Sequence, residues 1–529
     1  EEEKTELVAE GKRVEEKVVT EPYASDVSEG KSNPVYTAHT YHTKVPHPAI
    51  MRYILHYTEP GDIVFDGFAG PGMTGVAAQA CGNPSDDQRA RIEVDWKEHF
   101  EGKPKWGRRH AICGDLSPYV SMISYNYNTP VNAQRLKKEV DRIFKELKEE
   151  CSWLYETRTE EGREALINYV VWSDVCLCPN CGHEYVYWKA AIDYEHKCLN
   201  DSFLCPNCKG QLSKKGMTKS YETRYDSKLG CSVKSVKSEP VIVVCTSKDG
   251  KRIEKAPSQF DFELLKKIEE TSCDYFYPTN ELPHGFNLDQ PRRSHEILRY
   301  YQFYTKRNLI ALSTLYDKIL KSEMPNKIKF IFTGMINRST KMNRVHVNNY
   351  FYGGGGWNAG HLKGTLYIPN APVETSILEQ IEDKLKGYLR AIPMLPTDYD
   401  NGLYVASAES TIVDNKTIDY IFVDPPFGAN IMYSELNSLP ESWLRVLTNN
   451  ETEAIENEGQ NKSQSFYLEE MVKCFSEFYR ILKPNKWMTV EFSNTSAAVW
   501  NTIQHAITSA GFVIANVAAI DKKKGGMRS

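Results

Sequence analysis

The chain has 529 residues, more than one ordinary core serves, so two or three domains are expected. Hydrophobic residues make up 41% and charged residues 26%, with no long uncharged apolar run of the kind a membrane span requires, which marks a soluble protein. A net charge of −5 excludes coating of nucleic acid through bulk charge and leaves a local basic patch as the means of binding it. Thirteen cysteines are too sparse for a secreted disulfide scaffold.

Residues 1 to 30, rich in Glu, Lys and Val, read as a polar N-terminal tail or solvated helix without chemistry. The pattern then changes. A helix over 48 to 57, a turn at EPGD, the buried strand IVFD, a glycine loop and a further helix form half of a parallel α/β unit, followed by a strand at HAICGDLSP that ends in Asp115. In DGFAGPGMTG, Gly70, Gly72 and Gly75 satisfy G-x-G-x-x-G after a strand and before a helix, where backbone can approach a ligand and helix N–H groups can meet an anion. Asp115 is placed for a ribose hydroxyl pair, against the plainer reading of an Asx-turn or helix cap. Together they point to a nucleoside cofactor without separating NAD from S-adenosylmethionine.

Residues 135 to 151 carry Leu136, Val140, Ile143, Phe144 and Leu147 at helical spacing and begin an insertion of roughly two hundred and fifty residues. Within it, CPNCG and CPNCKG place Cys178, Cys181, Cys205 and Cys208 in two knuckles, the spacing of a tetrahedral zinc held by four thiolates. Such a site leaves no position for water and is structural. Cys176 and Cys198 lie nearby and read as packed free thiols. Further on, a long aromatic-striped helix is expected over 294 to 321, then a strand KIKFIFTG and the glycine run GGGGW. The stripe Tyr300, Tyr301, Phe303 and Tyr304 reads as core. Basic clusters with interleaved aromatics or amides offer Arg292, Arg293, Lys306, Arg307, Arg338, Lys341 and Arg344 to DNA, with residues 337 to 364 as the leading DNA-contacting loop.

The α/β rhythm returns near 402 with LYVASAES, the strand IDYIFVDPPF, a helix over 465 to 482, the strand KWMTVEFS, a helix, and a final strand FVIANVAAI. Two prolines at the end of a parallel strand stop its pairing and fix the chain's exit, where open α/β sheets place ligands. A planar amine that is to accept a methyl group needs acceptors for both hydrogens. The Asp424 carboxylate can take one and the rigid Pro425 carbonyl the other, with Pro426 stiffening the turn and Phe427 stacking on the base.

On YHTKVPHP, DGFAGPGMTG, GDLSP, the paired CPNC, FNLDQPRRSH, FYTKRN and IDYIFVDPPFGANIMYSELN, the chain resembles the S-adenosylmethionine-dependent DNA amino-methyltransferases, and among them the adenine-specific DNA methylases with a zinc ribbon. The resemblance implies a doubly wound Rossmann-like α/β sheet interrupted by a zinc ribbon and an α+β target-recognition region. The expected segments are a cofactor-binding half at 31 to 133, a helical connection at 134 to 172, the ribbon with small β structure at 173 to 262, target recognition at 263 to 400 and a catalytic half at 401 to 529. It assigns Asp66, Phe68, Gly70, Gly72 and Asp115 to the cofactor, Thr43 and Lys44 to its N-terminal flank, and Asp424, Pro425, Pro426 and Phe427 to catalysis.

Phe427 stands where relatives more often carry Tyr. Enzymes that methylate cytosine N4 usually have Ser where this chain has Asp424, which tilts the reading to adenine N6 and keeps cytosine N4 as its alternative. The implied partners are double-stranded DNA and the helicase, nuclease or other subunits of a restriction or phage-defence system, in a cytoplasmic, nucleoid-associated setting. A recognition subunit of such a complex is the other alternative.

Overall fold

The computed structural model describes residues 1–23, 29–41, 43–226, 228–398, 400–492, 494 and 496–517. The chain forms two compact units, one of Glu1–Gln134 with Lys386–Ser529 and one of Arg135–Leu385. Among the described residues no helix is long and apolar enough to cross a membrane.

The first unit is built on five parallel strands: β1 Ile63–Asp66, β2 His110–Asp115, β3 Gly402–Val405, β4 Ile418–Val423 and β5 Leu482–Val490. Their order is β3-β2-β1-β4-β5, with Val64 beside Ala111 on one side and Tyr420 on the other. The order reverses between β1 and β4. At such a reversal the crossovers leave in opposite directions and open a crevice at the strands' carboxyl ends.

Both faces of the sheet are covered, as parallel sheets require. Helix α1 is Glu2–Ala9, α2 His47–Tyr57, α3 Met73–Ala80, α4 Pro118–Asn128, α5 Tyr433–Leu444, α6 Gln464–Ile481 and α7 Ala497–Ser509. The two-residue period of β4 sends Tyr420 and Phe422 to Tyr57 and Tyr53 of α2, with ring centroids 4.9 and 5.6 Å apart. Ile421 and Val423 enter a cluster with Phe475 and Phe478 of α6 and Ile503 of α7. Gly67 is part of that packing, since a Cβ there would come within 2.7 Å of the Phe478 ring.

The second unit centres on a long strand, Glu164–Leu177, paired antiparallel with Ser238–Ser247 and with the short strands Glu156–Arg158, Glu184–Val186, Thr218–Lys219 and Val373–Thr375. Helices Ala133–Cys151, Gln259–Glu270, Lys306–Leu320, Pro325–Ile336 and Ile377–Ala391 accompany it.

Several elements differ from expectation. KIKFIFTG lies in a helix rather than a strand, begun by Pro325 in its first turn, with Ile328, Phe332 and Met335 at helical spacing and apolar neighbours buried on all sides. The helix expected over 294 to 321 is three pieces: Asp289–His295 stops at Glu296 in the left-handed region, a 3-10 turn covers Tyr300–Phe303, and a new helix starts at Lys306 behind the Thr305 cap. Tyr300, Phe303 and Tyr304 of the stripe are buried. The helical connection over 134 to 172 turns into strand from Glu156.

No strand forms over 512 to 517, and the rest of the expected last strand, 518 to 520, lies outside the described residues. Helix α1 buries no residue, as a solvated helix would, and it is also anchored. The Lys4 ammonium lies 2.7 Å from Asp419 and 3.2 Å from Asp62, beneath the amino ends of β4 and β1.

Candidate functional site

A cleft open to solvent, about 960 Å³ with its solvent-filled mouth counted in, lies in the first unit at the carboxyl ends of β3, β2, β1 and β4. Its lining includes Asp66 from β1, Asp115 from β2, Ser407 and Ala408 after β3, and Asp424 after β4. Four acids, Asp66, Asp115, Asp424 and Glu453, line it against one cation, Lys44. The Lys44 ammonium is committed to the backbone carbonyls of His39, at 2.6 Å, and Tyr36.

The glycine loop separates into two roles. Gly70, with φ +50°, lines the cleft, and an added Cβ would make only ordinary contacts, with the Tyr41 ring at 3.7 Å and the Phe68 carbonyl at 4.0 Å. Gly72, with φ +79°, caps α3 and is absent from the lining; a Cβ there would sit 2.1 Å from Ser124 Oγ on α4. Gly75 likewise meets Asn128. Thus Gly70 serves the cleft, while Gly72 and Gly75 let α3 and α4 pack closely.

Asp66 receives the Phe68 N–H at 3.1 Å and the Thr74 hydroxyl at 2.6 Å, and burial pushes its carboxyl up to about 7. Asp115 forms the Asx-turn of the plainer reading, accepting the Ser117 N–H at 2.9 Å, and also holds the loop through the Gly70 N–H at 3.0 Å. Burial pushes it up to about 7 as well. Both carboxylates keep further acceptor capacity in the cleft.

Asp424 is different in kind. It accepts no hydrogen bond from any described residue, and burial, then the charges of Glu491 and Asp66, hold its carboxyl well above the usual range. The turn behind it is fixed: the Tyr467 hydroxyl donates to the Pro426 carbonyl at 2.7 Å and Asn494 to the Phe427 carbonyl at 3.2 Å. Phe427 is half-buried, its ring edge-on to Phe492 at 5.0 Å, which meets Trp500 at 5.1 Å in the same way. Asp424 and Pro426 line the cleft; Pro425 and Phe427 do not, and the Pro425 carbonyl accepts nothing from a described residue.

Thr43, Lys44, Asp66, Phe68, Gly70 and Asp115 also line the cleft. The remainder of its wall escaped the sequence reading. Helix α5 and the segment after it contribute Tyr433, Ser434, Asn437, Thr448, Thr452 and Glu453. Asn437 is 1% exposed, hydrogen-bonds the Tyr41 hydroxyl, and leaves its Oδ1 without a partner. Glu453 is held by the Ser434 N–H at 2.8 Å and hydroxyl at 2.5 Å. Aromatic Tyr41 and Tyr433 beside a strand-end acid were the available signal.

In the second unit the sulfurs of Cys178, Cys181, Cys205 and Cys208 all lie within 4.8 Å of one another. Cys178 is 3.7 Å from Cys208, and Cys181 is 3.9 Å from Cys205. A tetrahedral zinc with Zn–S bonds of about 2.3 Å separates its sulfurs by about 3.8 Å, so the set fits that ion. Cys176 is buried outside the cluster and Cys198 donates to Asn200, as packed thiols do.

The expected DNA-facing cations are dispersed. Arg307 is buried against Glu374 at 2.5 Å. Arg292 is taken by Asp289, His284 and the Leu282 carbonyl, and Lys341 donates to the Gln302 carbonyl at 3.1 Å. Arg293 is exposed, Lys306 half-buried at a helix start, Arg338 exposed 3.7 Å from Asp383, and Arg344 half-buried. Arg307 is therefore a core ion pair and not a surface contact.

The DNA methylase family of N6/N4 methyltransferases matches residues 2–85 and 418–529, the segments that carry β1 with its glycine loop and β4 with DPPF. No curated protein and no solved structure matches the chain. Those two segments, in the first unit, are similar to that DNA methylase family.

Proposed function

We propose that the chain is an S-adenosylmethionine-dependent DNA methyltransferase acting on adenine N6. The observation that carries this reading is the composition of the cleft: four carboxylates against one committed lysine at the point where the strand order reverses. A dinucleotide brings a pyrophosphate, for which the cleft lining offers no uncommitted cation. S-adenosylmethionine brings a sulfonium and an ammonium, which it attracts, and hydroxyl donors that Asp115 can accept.

S-adenosylmethionine supplies a methyl group on positively charged sulfur. The chain's own residues prepare the acceptor. Asp424, unpartnered and fixed on a proline turn, accepts one hydrogen of an exocyclic amine, and the Pro425 carbonyl is the candidate for the other. A positive charge held in the cleft that Asp424 lines would favour its ionised form, the form that accepts an amine hydrogen. The amine becomes strongly acidic once attacked, and Asp424 or solvent takes its proton. Phe427 and its edge-on neighbours offer an apolar face to an extruded base. In the second unit, Cys178, Cys181, Cys205 and Cys208 would hold a structural zinc, with all four positions filled by thiolates.

Asp424 in place of Ser supports adenine over cytosine. Long-read sequencing of genomic DNA from cells with and without the gene tests the reading. A recurrent N6-methyladenine signal that disappears with the gene is expected; N4-methylcytosine in its place would move the substrate, and no difference would remove the proposed function.

A further inference from the structure

The second unit carries two cations, Arg344 and Lys363, and an imidazole, His361, that no acid answers. Arg344 is pinned through its backbone: it bridges Pro372, donates its N–H to the Gly360 carbonyl at 3.0 Å, and accepts the Ala359 N–H at 2.9 Å. Its guanidinium makes no ion pair or hydrogen bond with a described residue, and its Nε is buried without a partner. His361 and Lys363 follow on the same loop, also without an acid. Burial, then the charges of Lys363 and Arg344, push the His361 imidazole below its ordinary range, so the three share one electrostatic neighbourhood. Elsewhere in the unit the expected cations Arg292, Arg307 and Arg338 each have a carboxylate within 4 Å. Gathering like charges without a counter-charge destabilises the free protein, and an anion offsets that cost.

The backbone around the cluster is open. Gly353, Gly354, Gly360 and Gly364 have φ between +66° and +85°, and a Cβ on any of them would meet nothing within 4 Å. The loop is nonetheless anchored: Trp357 packs edge-on against Tyr169 at 4.8 Å and Tyr350 at 5.2 Å, and its carbonyl accepts the His346 N–H at 2.7 Å. An exposed lysine and a half-buried arginine on such a loop suit an extended polyanion, whereas a small phosphate needs an enclosing pocket.

We propose that Arg344, His361 and Lys363 form a contact through which the second unit holds phosphates of the DNA backbone; this rests on the reading of the chain as a DNA methyltransferase. The test is binding of the full chain to a short fluorescent duplex of mixed sequence, followed by anisotropy over a salt series. Each phosphate contact contributes roughly 0.9 to the slope of log affinity against log salt. The double variant Arg344→Gln/Lys363→Gln is expected to flatten the slope by about 1.8 and weaken binding about tenfold or more at moderate salt. Lys145→Gln, at an exposed lysine of the same unit, should leave the slope unchanged.

A double variant with unaltered slope and unaltered melting overturns the proposal, as does a wild-type chain that fails to bind duplex at low salt or prefers an RNA of the same sequence. If duplex binding and the flattened slope are both seen but no methyl is transferred, the phosphate contact stands and the methyltransferase reading falls.

Discussion

Asp424 and Glu374 are carboxylates at strands of different units, and their surroundings are opposite. Glu374, 3% exposed, accepts hydrogen bonds from Arg307 at 2.5 Å, from the Trp172 ring at 2.9 Å and from the Thr305 hydroxyl. Asp424 accepts none, and burial and like charge push its proton affinity up. A carboxylate whose acceptor capacity is filled by its own chain holds a fold together. One whose capacity is left open beside a cleft is held ready for a donor from outside.

That contrast is broken most directly at Asp424. Asp424→Ala is expected to lower methyl transfer by about a thousandfold or more at saturating cofactor, with cofactor still bound and melting temperature near wild type, as a single-turnover assay beside calorimetry would register. Retained activity would remove Asp424 from the chemistry. Glu374→Ala should do the reverse: it strands the buried Arg307 charge and destabilises the second unit by about 3–5 kcal/mol, visible in denaturant unfolding. A silent Glu374→Ala would erase the distinction between the two carboxylates.

A smaller effect sharpens the comparison within the cleft. Asp66 and Asp115 both titrate near 7 because burial disfavours their charged forms. A cofactor that donates to either must displace its proton, so affinity should rise about tenfold from pH 6 to pH 8 for one such group and level off above, as calorimetry can measure. Stability runs the other way. The folded state keeps protons that the unfolded chain releases above about pH 4, so the ligand-free protein loses stability as pH climbs from about 4 to about 7. A flat affinity profile would mean that neither carboxylate meets the cofactor.

Much of the first unit was legible because its signals are local. Glycines, prolines and strand-end acids constrain their own backbone, so β1 with its loop, β2 with Asp115 and β4 with DPPF could be read residue by residue. Helix α5 was not legible. Pro440 lies inside it, and Ser434, Glu435, Asn437, Ser438 and Glu441 are all buried, a polar pattern that reads as loop. Its burial is made possible by partners far away in sequence, such as Ser117, whose hydroxyl donates to Glu441 at 2.5 Å, and Asn457, which donates to Glu435 at 2.6 Å.

The spacing of the four clustered cysteines was legible for the same local reason, and the cation clusters were not. Sequence shows that Arg307 is basic, and only folding shows that Glu374 has already claimed it. Gly72 sits between these cases. Its need for glycine was plain, but the cause is Ser124 on the neighbouring helix rather than a ligand.

The central claim is that the open carboxylate of Asp424 receives an adenine amine beside a methyl donor held in the cleft. Incubating duplex DNA with the chain and methyl-labelled S-adenosylmethionine, then digesting to nucleosides, measures this most directly. Label in N6-methyladenine with the wild-type chain and none with Asp424→Ala is the predicted result. Label in cytosine, or equal labelling by both proteins, would contradict it.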